Sequence, residues 1–356
     1  MQTRFSIILP VFNAASYLEK AIDSLLEQSI DDWELIAVND ASSDKSLNIL
    51  KKYAALDNRI KLVDLIENRG LGHVRNLGIK KAVGDYLIFL DSDDFFEPAA
   101  LKVLNNNISI NPETEVFIWG FNKVDGKGDF KKSFIPMKIS KEKGETPFIL
   151  HLAGRKGFVS YVWVYSLKRS FLSKYELSFP EKIYFEDIPF TVQMLYHASE
   201  LQVISEPLYN YRKHGFSITG KAGVKKIEDK YIAFNQVKTF LEEQRVFKQF
   251  QRMYLARFLA LCVHTSFNDY FSLSKNESTD ELDSFMNEIR NSKLLRKDNL
   301  LLLRNIGLSL PKEEKRSRLG FLQAYFGLSA IKKRYFFQKQ LIYWTIKLKR
   351  KRQGLS

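Results

Sequence analysis

At 356 residues the chain has room for about two domains. Its 45% apolar content describes a packed protein, and its single cysteine, Cys262, excludes a disulfide framework within one chain and fits a reducing compartment. The net charge of +14 is concentrated in residues 315–356, where twelve Lys and Arg meet no acid. That leaves +2 for residues 1–314, so a nucleic-acid partner, which would need basic charge across the working domain, is not expected.

"FSIILPVF" opens the chain as a buried strand, with no signal-peptide pattern before it. Residues 16–28 place Tyr17, Leu18, Ala21, Ile22, Leu25 and Leu26 on one helical face. "ELIAVND" predicts a second strand, and Ser43 or Asp44 can cap the helix that follows. "RIKLVDLI" is a third strand, "HVRNLGIKKAV" a helix ending near Gly84, and "YLIFLD" a fourth strand. This alternation with short connections predicts a mostly parallel sheet covered on both faces. "TEVFIWGFNKV" adds another strand. Residues 140–220 are mixed and rich in aromatics, and after Gly223 the pattern is helical. The expected division is therefore an α/β domain over 1–220 and a helical region over 221–356. No apolar run reaches the roughly 18 residues of a membrane-spanning helix.

"YLIFLDSDDFFEP" ends a buried strand with Asp91, Asp93 and Asp94. In an open parallel sheet, ligands bind beyond the carboxyl ends of the strands, where "PVFNA" and "NDASSD" also belong. Carboxylates this close repel one another. A hard divalent ion shared with a phosphate-bearing ligand resolves that repulsion. The competing reading is a solvated acidic turn, with Asp94 capping a helix through "EPAALKVL".

"SIILPVFNAASYLEKAIDSLLEQS", "WELIAVNDASSD", "ENRGLGHVRNLGIKKAVGDYLIFLDSDD" and "YFEDIPF" together resemble family 2 glycosyltransferases with the GT-A fold, over residues 4–220. The resemblance implies an inverting transferase that moves a sugar from a nucleotide-sugar donor, with UDP the expected nucleotide. The acceptor would be a saccharide or lipid-linked hydroxyl in bacterial surface polymer or glycolipid synthesis. By the same resemblance Pro10 and Phe12 line the nucleotide base, Asp40 meets the uracil ring, and Arg75 lies near the diphosphate. Asp91 faces the ribose or the metal, Asp93 ligates Mn²⁺ or Mg²⁺, and Asp187 is the catalytic base with Glu186 beside it. Arg212 and His214, in "YRKHGFSIT", close over the donor phosphates, and His214 is a further candidate metal ligand. Val164 and Tyr165 stand where family members carry Asn or Asp followed by Lys, which leaves the acceptor contacts there open.

Each role has a plainer counterpart. Arg75 can be an exposed helix residue, and Glu186 and Asp187 suit a helix N-terminus. Tyr161 and Trp163 can stack on a sugar or belong to the core. His73, His151, His197 and His264 lack metal-ligand spacing. A dinucleotide oxidoreductase is excluded because "RGLGHVRNLG" has Arg75 at the third glycine position and follows the third strand. A nucleotide-sugar hydrolase and a binding protein without transferase activity remain as alternatives. In the tail, Phe337, Leu341, Trp344, Thr345 and Leu348 form one helical stripe among nine cations. That pattern suits the surface of an anionic membrane, consistent with a cytoplasmic enzyme at the inner face of the cell membrane. A helix packed on the protein body or a homo-oligomer contact would also use it.

Overall fold

The computed structural model describes residues 3–139, 146–155, 157–215, 224–258 and 261. The amphipathic basic tail, Cys262 and His264 lie outside the described residues.

Strands β1 (Phe5–Val11), β2 (Trp33–Asn39), β3 (Ile60–Asp64) and β4 (Tyr86–Phe89) form the parallel half of one sheet, in the order β3-β2-β1-β4. Every residue of β1, β2 and β4 is buried, which is why these strands read as continuous apolar runs. Helices α1 (Leu18–Leu26), α2 (Ser46–Leu56) and α3 (Leu71–Lys81) make the crossovers. Helix α3 lies so close to β1 that a Cβ on Gly78 would stand 2.4 Å from Ile8 Cγ2. Pairing of β1 with β4 stops at Ile8 and Phe89, closed by the Leu90 amide donating to the Ile8 carbonyl. Pro10, two residues on, has no N–H to continue the ladder.

The expected parallel order holds as far as β4. Beyond it β5 (Phe95–Phe96), helix α4 (Ala100–Ile110), β6 (Val116–Val124) and β7 (Phe130–Phe134) follow in the chain. Helix α5 (Pro147–Leu152), β8 (Tyr165–Lys168), α6 (Arg169–Lys174), α7 (Asp187–His197) and β9 (Leu201–Arg212) come next. The order continues β8-β6-β9-β5, with β7 on β6. Strand β8 is antiparallel to both neighbours, so this half is mixed. Strand β5 pairs antiparallel with β9, Phe95 against Asn210 and Phe96 against Tyr209. This short pairing joins the end of the aspartate run to the end of a strand more than a hundred residues later.

The first compact unit extends past the boundary expected at 220, to Phe250. Helix α8 (Val224–Glu243) is part of it because it buries Ala233, Phe234, Val237 and Leu241, with Phe240 edge-on to Tyr196. Helix α9 (Phe247–Phe258) follows. No helix among the described residues is long and apolar enough to cross a membrane.

Gly84 sits where α3 hands over to β4, and an added Cβ there would lie 2.7 Å from the Ser6 amide nitrogen and 2.8 Å from the Phe5 carbonyl carbon. Those atoms are the backbone of a central strand and cannot move aside. Gly84→Ala should lower the thermal unfolding midpoint, with a stability loss of about 1–3 kcal/mol; a midpoint equal to the parent's would show that β1 yields.

Candidate active site

Two loops at the carboxyl edge of the sheet are stapled together. Asn13 has a left-handed backbone (φ 51), which asparagine tolerates better than most residues. Its side-chain oxygen accepts from the amides of Ser43 and Asp44, while its own amide donates to Ser42 Oγ. Asp44 and Ser46 accept from the amides of Ala15 and Ala14. Phe12 stands on this staple with 52% of its surface exposed, an open aromatic face at the end of β1. Pro10 is buried within β1 itself, so it supports the loop from the strand and does not line an open surface. Asp40 is buried, and its two oxygens accept one amide each, from Arg69 at 2.7 Å and Gly70 at 2.9 Å. Each carboxylate oxygen has a second lone pair to offer.

The three aspartates of the run take different environments. Asp94 is turned inward: Tyr209 Oη donates to it at 2.9 Å and the Arg212 amide at 2.7 Å. It therefore does not cap α4, whose N-cap is Ala99. Burial, then the charges of Asp93 and Asp91, push its carboxyl well above the usual range. Asp93 reaches the opposite way, with Oδ2 2.8 Å from His214 Nε2. Burial and the Asp91 charge raise its pKa, and His214 opposes the shift. The His214 ring stacks on Tyr17 at 4.5 Å, and the Arg212 guanidinium lies over the same tyrosine at 5.1 Å. Arg212 is 6% exposed, and its Nε and Nη1 donate to the carbonyls of Asp93 and Gly126. Those two bonds turn it onto the backbone that carries Asp93.

Asp91 is held by Arg75. The Arg75 side chain, 3% exposed, donates from Nη2 to Asp91 at 2.9 Å and from Nη1 to Glu186 at 2.5 Å. Phe179 and Phe89 flank the guanidinium, with centroids 5.4 and 6.0 Å away. Burial disfavours its charge, but Asp91, Glu186 and Asp187 more than offset that and raise its pKa. Arg75 is not an exposed helix residue: its fork is turned to two carboxylates, one of them in the aspartate run. Glu186 likewise spends its carboxylate on Arg75.

Asp187, the next residue, begins α7 and remains partly exposed. Burial, then the adjacent Glu186 charge, push its carboxyl up to about 8, with Arg75 pulling the other way. The loop leading to it is tightly braced. Phe185 and Lys182 have left-handed backbones (φ 64 and 63), a conformation that non-glycine residues rarely hold without outside support. Asn76 exchanges two hydrogen bonds with the backbone of Phe179, and His73 Nδ1 lies 3.1 Å from Glu181. A Cβ on Gly72 would stand 2.1 Å from the Pro180 carbonyl oxygen, so only glycine admits the loop there. From α8, Asp229 accepts the Tyr184 amide at 2.9 Å and Lys230 lies over the Phe185 ring at 4.9 Å.

The sequence reading missed Tyr17, Tyr209, Asp229 and the inward role of Asp94. The sequence signal for Tyr209 was its place in the "YNYR" alternation that also carries Arg212. Asp229 gave none. Among the described residues no group of three His, Cys, Asp or Glu side chains is placed to hold a metal ion. Asp93 and His214 pair with each other beside Asp91, Oδ2 to Nε2 at 2.8 Å.

The glycosyl transferase family 2 model matches residues 6–161. The chain is 34% identical over 219 residues to a Bacillus subtilis (strain 168) protein named as the uncharacterized glycosyltransferase EpsJ, covering 60% of this chain and 62% of that one. It is 31% identical over 252 residues to a protein of the same strain named "Putative glycosyltransferase EpsH", covering 69% of this chain and 72% of that one. A crystal structure of S. aureus TarS in complex with UDP-GlcNAc superposes with a TM-score of 0.66 at 20% identity, over 90% of this chain and 89% of that one. That likeness shows the fold to be the GT-A fold expected from the sequence.

The raised pKa of Asp187 has a consequence for stability. The folded value of about 8 lies above the ordinary 3.8, so the folded chain holds this proton more tightly than the unfolded one. The stability it confers is complete below about pH 4 and is lost as pH rises toward 8. Asp187→Asn removes the titration, so thermal unfolding should show the variant gaining on the parent between about pH 5 and pH 8. A variant less stable at every pH would identify Asp187 as a stabilising helix-terminal charge.

Proposed function

The chain belongs to glycosyl transferase family 2, and on that premise we propose that it transfers a sugar, with inversion, from a UDP-linked donor to an acceptor hydroxyl. The acceptor would be a saccharide or lipid-linked saccharide of a bacterial surface polymer or glycolipid. The observation that carries this reading is the Arg75 bridge, which ties Asp91 beside Asp93 to Glu186 beside Asp187. A phosphate-binding pole and a proton-accepting pole thereby stand on one buried cation. The complex of TarS with UDP-GlcNAc supports UDP as the nucleotide.

In this reaction Phe12 offers its exposed face to the nucleobase. Asp40, oriented by the amides of Arg69 and Gly70, accepts a hydrogen bond from the ring N–H. Mn²⁺ or Mg²⁺ held by Asp93 and His214 would neutralise the leaving diphosphate. Tyr17 and Arg212 keep that pair in place, His214 through its ring and Asp93 through its backbone. Asp187 takes the proton of the attacking hydroxyl, and the new glycosidic bond forms on the face opposite the departing UDP. A base with a pKa near working pH combines a useful ionised fraction with a strong pull on the proton. Glu186 stays paired with Arg75 and sets the charge environment in which Asp187 works.

Asp93→Ala should lower UDP release from UDP-sugars, in the presence of saccharide acceptors, by roughly a hundredfold or more, and chelator should do the same to the parent protein. Full activity in chelator would remove the metal from the reading. UDP release that does not depend on acceptor would favour a nucleotide-sugar hydrolase. Donor binding without turnover would favour a binding protein.

A further inference from the structure

Helix α8 reaches back to the loop that carries Asp187. Asp229 on α8 is 2% exposed, and its Oδ2 accepts the Tyr184 amide at 2.9 Å. Lys225, one turn earlier, donates to the same carboxylate at 3.0 Å from a side chain that is mostly exposed. Asp229 precedes Ala233 and Val237 at successive helical turns, so it shares the face that those residues bury. A carboxylate on such a face costs burial energy that its hydrogen bonds must offset. The pairing with Lys225 is too exposed to account for that, since surface ion pairs contribute little. The bond to the Tyr184 amide is what the buried position secures. The loop also meets α8 through its rings, with Lys225 over Tyr184 at 5.7 Å and Lys230 over Phe185 at 4.9 Å.

What Asp229 holds decides where Asp187 stands. Tyr184 is followed by Phe185, whose backbone is left-handed (φ 64). The Phe185 carbonyl accepts the Ile188 amide at 3.1 Å, which closes the first turn of α7 around Glu186 and Asp187. A non-glycine residue keeps a left-handed backbone only where its surroundings enforce it. Upstream the loop is gripped by α3, through the two bonds between Asn76 and Phe179. Downstream Arg75 pins the Glu186 side chain. Between these points the Tyr184 amide, next to the strained residue, is taken by Asp229.

We propose that Asp229 is a positioning residue for the base. By holding the Tyr184 amide it keeps Phe185 left-handed and the first turn of α7 in place, so that Asp187 meets the acceptor hydroxyl. It acts through the loop and not on the substrate. The proposal rests on the reading of Asp187 as the base and adds to it a residue from a separate helix.

The test uses the full chain with saturating UDP and Mg²⁺. The variants are Asp229→Ala, Asp229→Leu, Asp229→Asn, Asp187→Asn, and Asp229→Ala combined with Asp187→Asn. The Leu variant fills the buried position and serves if the Ala variant does not fold; the Asn variant keeps an oxygen that can accept the amide. Hydrogen exchange followed by mass spectrometry should rise roughly tenfold in peptides covering 181–188 of the Ala and Leu variants, with β1 and β4 still protected as in the parent. The Asn variant should stay near the parent. Turnover is read as UDP release from UDP-glucose, UDP-galactose and UDP-GlcNAc with methyl glycosides as acceptors. The Ala variant should lose roughly tenfold or more in kcat while donor KM stays within about twofold, and Asn should restore most of the loss. In the Asp187→Asn background, Asp229→Ala should cost nothing further, because the group it positions is already gone. A purely structural Asp229 would cost the same factor in both backgrounds, and that result overturns the proposal. So do parent-like exchange in 181–188 of both the Ala and Leu variants, parent-like kcat in both, or an Asn variant as impaired as Ala. The exchange result decides the matter alone if no probe sugar turns over. Parent-like turnover of Asp187→Asn would fail the base reading itself, and the positioning role with it.

Discussion

The site depends on one buried cation. Arg75 takes carboxylates from two places, Asp91 at the end of β4 and Glu186 before α7, 16 and 111 residues away in sequence. Burying the Arg75 and Glu186 charges is costly, and the attraction compensates only when geometry is good and each partner is hydrogen-bonded. Here the guanidinium fork reaches both acids directly, with Phe89 and Phe179 beside it. Removing the cation would leave a buried glutamate without its partner, so the same interaction that builds the site makes it intolerant of change.

The bridge also sets the chemistry around it. Glu186 and Asp187 are neighbours, and with both near Asp91 their charges accumulate faster than one arginine can neutralise them. Burial, and then that excess of charge, raise the Asp187 carboxyl to about 8. The proposed proton acceptor is thus set by burial, by electrostatic crowding and by the α3 and α8 contacts that hold the strained loop. The aspartate run is organised by the same division of labour. Asp94 faces inward to fix the register of β9 through Tyr209 and Arg212, which frees Asp93 to face His214.

Much of this is legible in the sequence because it is local. The apolar runs of β1, β2 and β4, the helix patterns between them and the aspartates ending "YLIFLD" are each contained within a dozen residues. "FEDIPF" is equally legible as acids at a helix start. What sequence could not show is which charges meet. That Arg75 pairs with a glutamate 111 residues away cannot be read from its own helix. Only β9 lays Arg212 beside the Asp93 and Gly126 carbonyls. The mixed half of the sheet was obscured for a similar reason, since β5 has only two residues and takes its identity from pairing with β9. Tyr161 and Trp163 show the limit most clearly: two residues apart in one aromatic stretch, Trp163 is buried and Tyr161 half-exposed, and only tertiary packing distinguishes them.

The most direct test of the central claim is the pH dependence of kcat/KM for sugar transfer in Arg75→Lys. A single ammonium on a shorter side chain cannot hold both Asp91 and Glu186 in the geometry of a guanidinium fork. The weakened pairing should lower maximal kcat/KM by roughly a hundredfold and move the acid limb to higher pH, because Arg75 is the group that holds the Asp187 pKa down. A variant with the parent's rate and an unmoved limb would show that the two poles do not depend on the bridge.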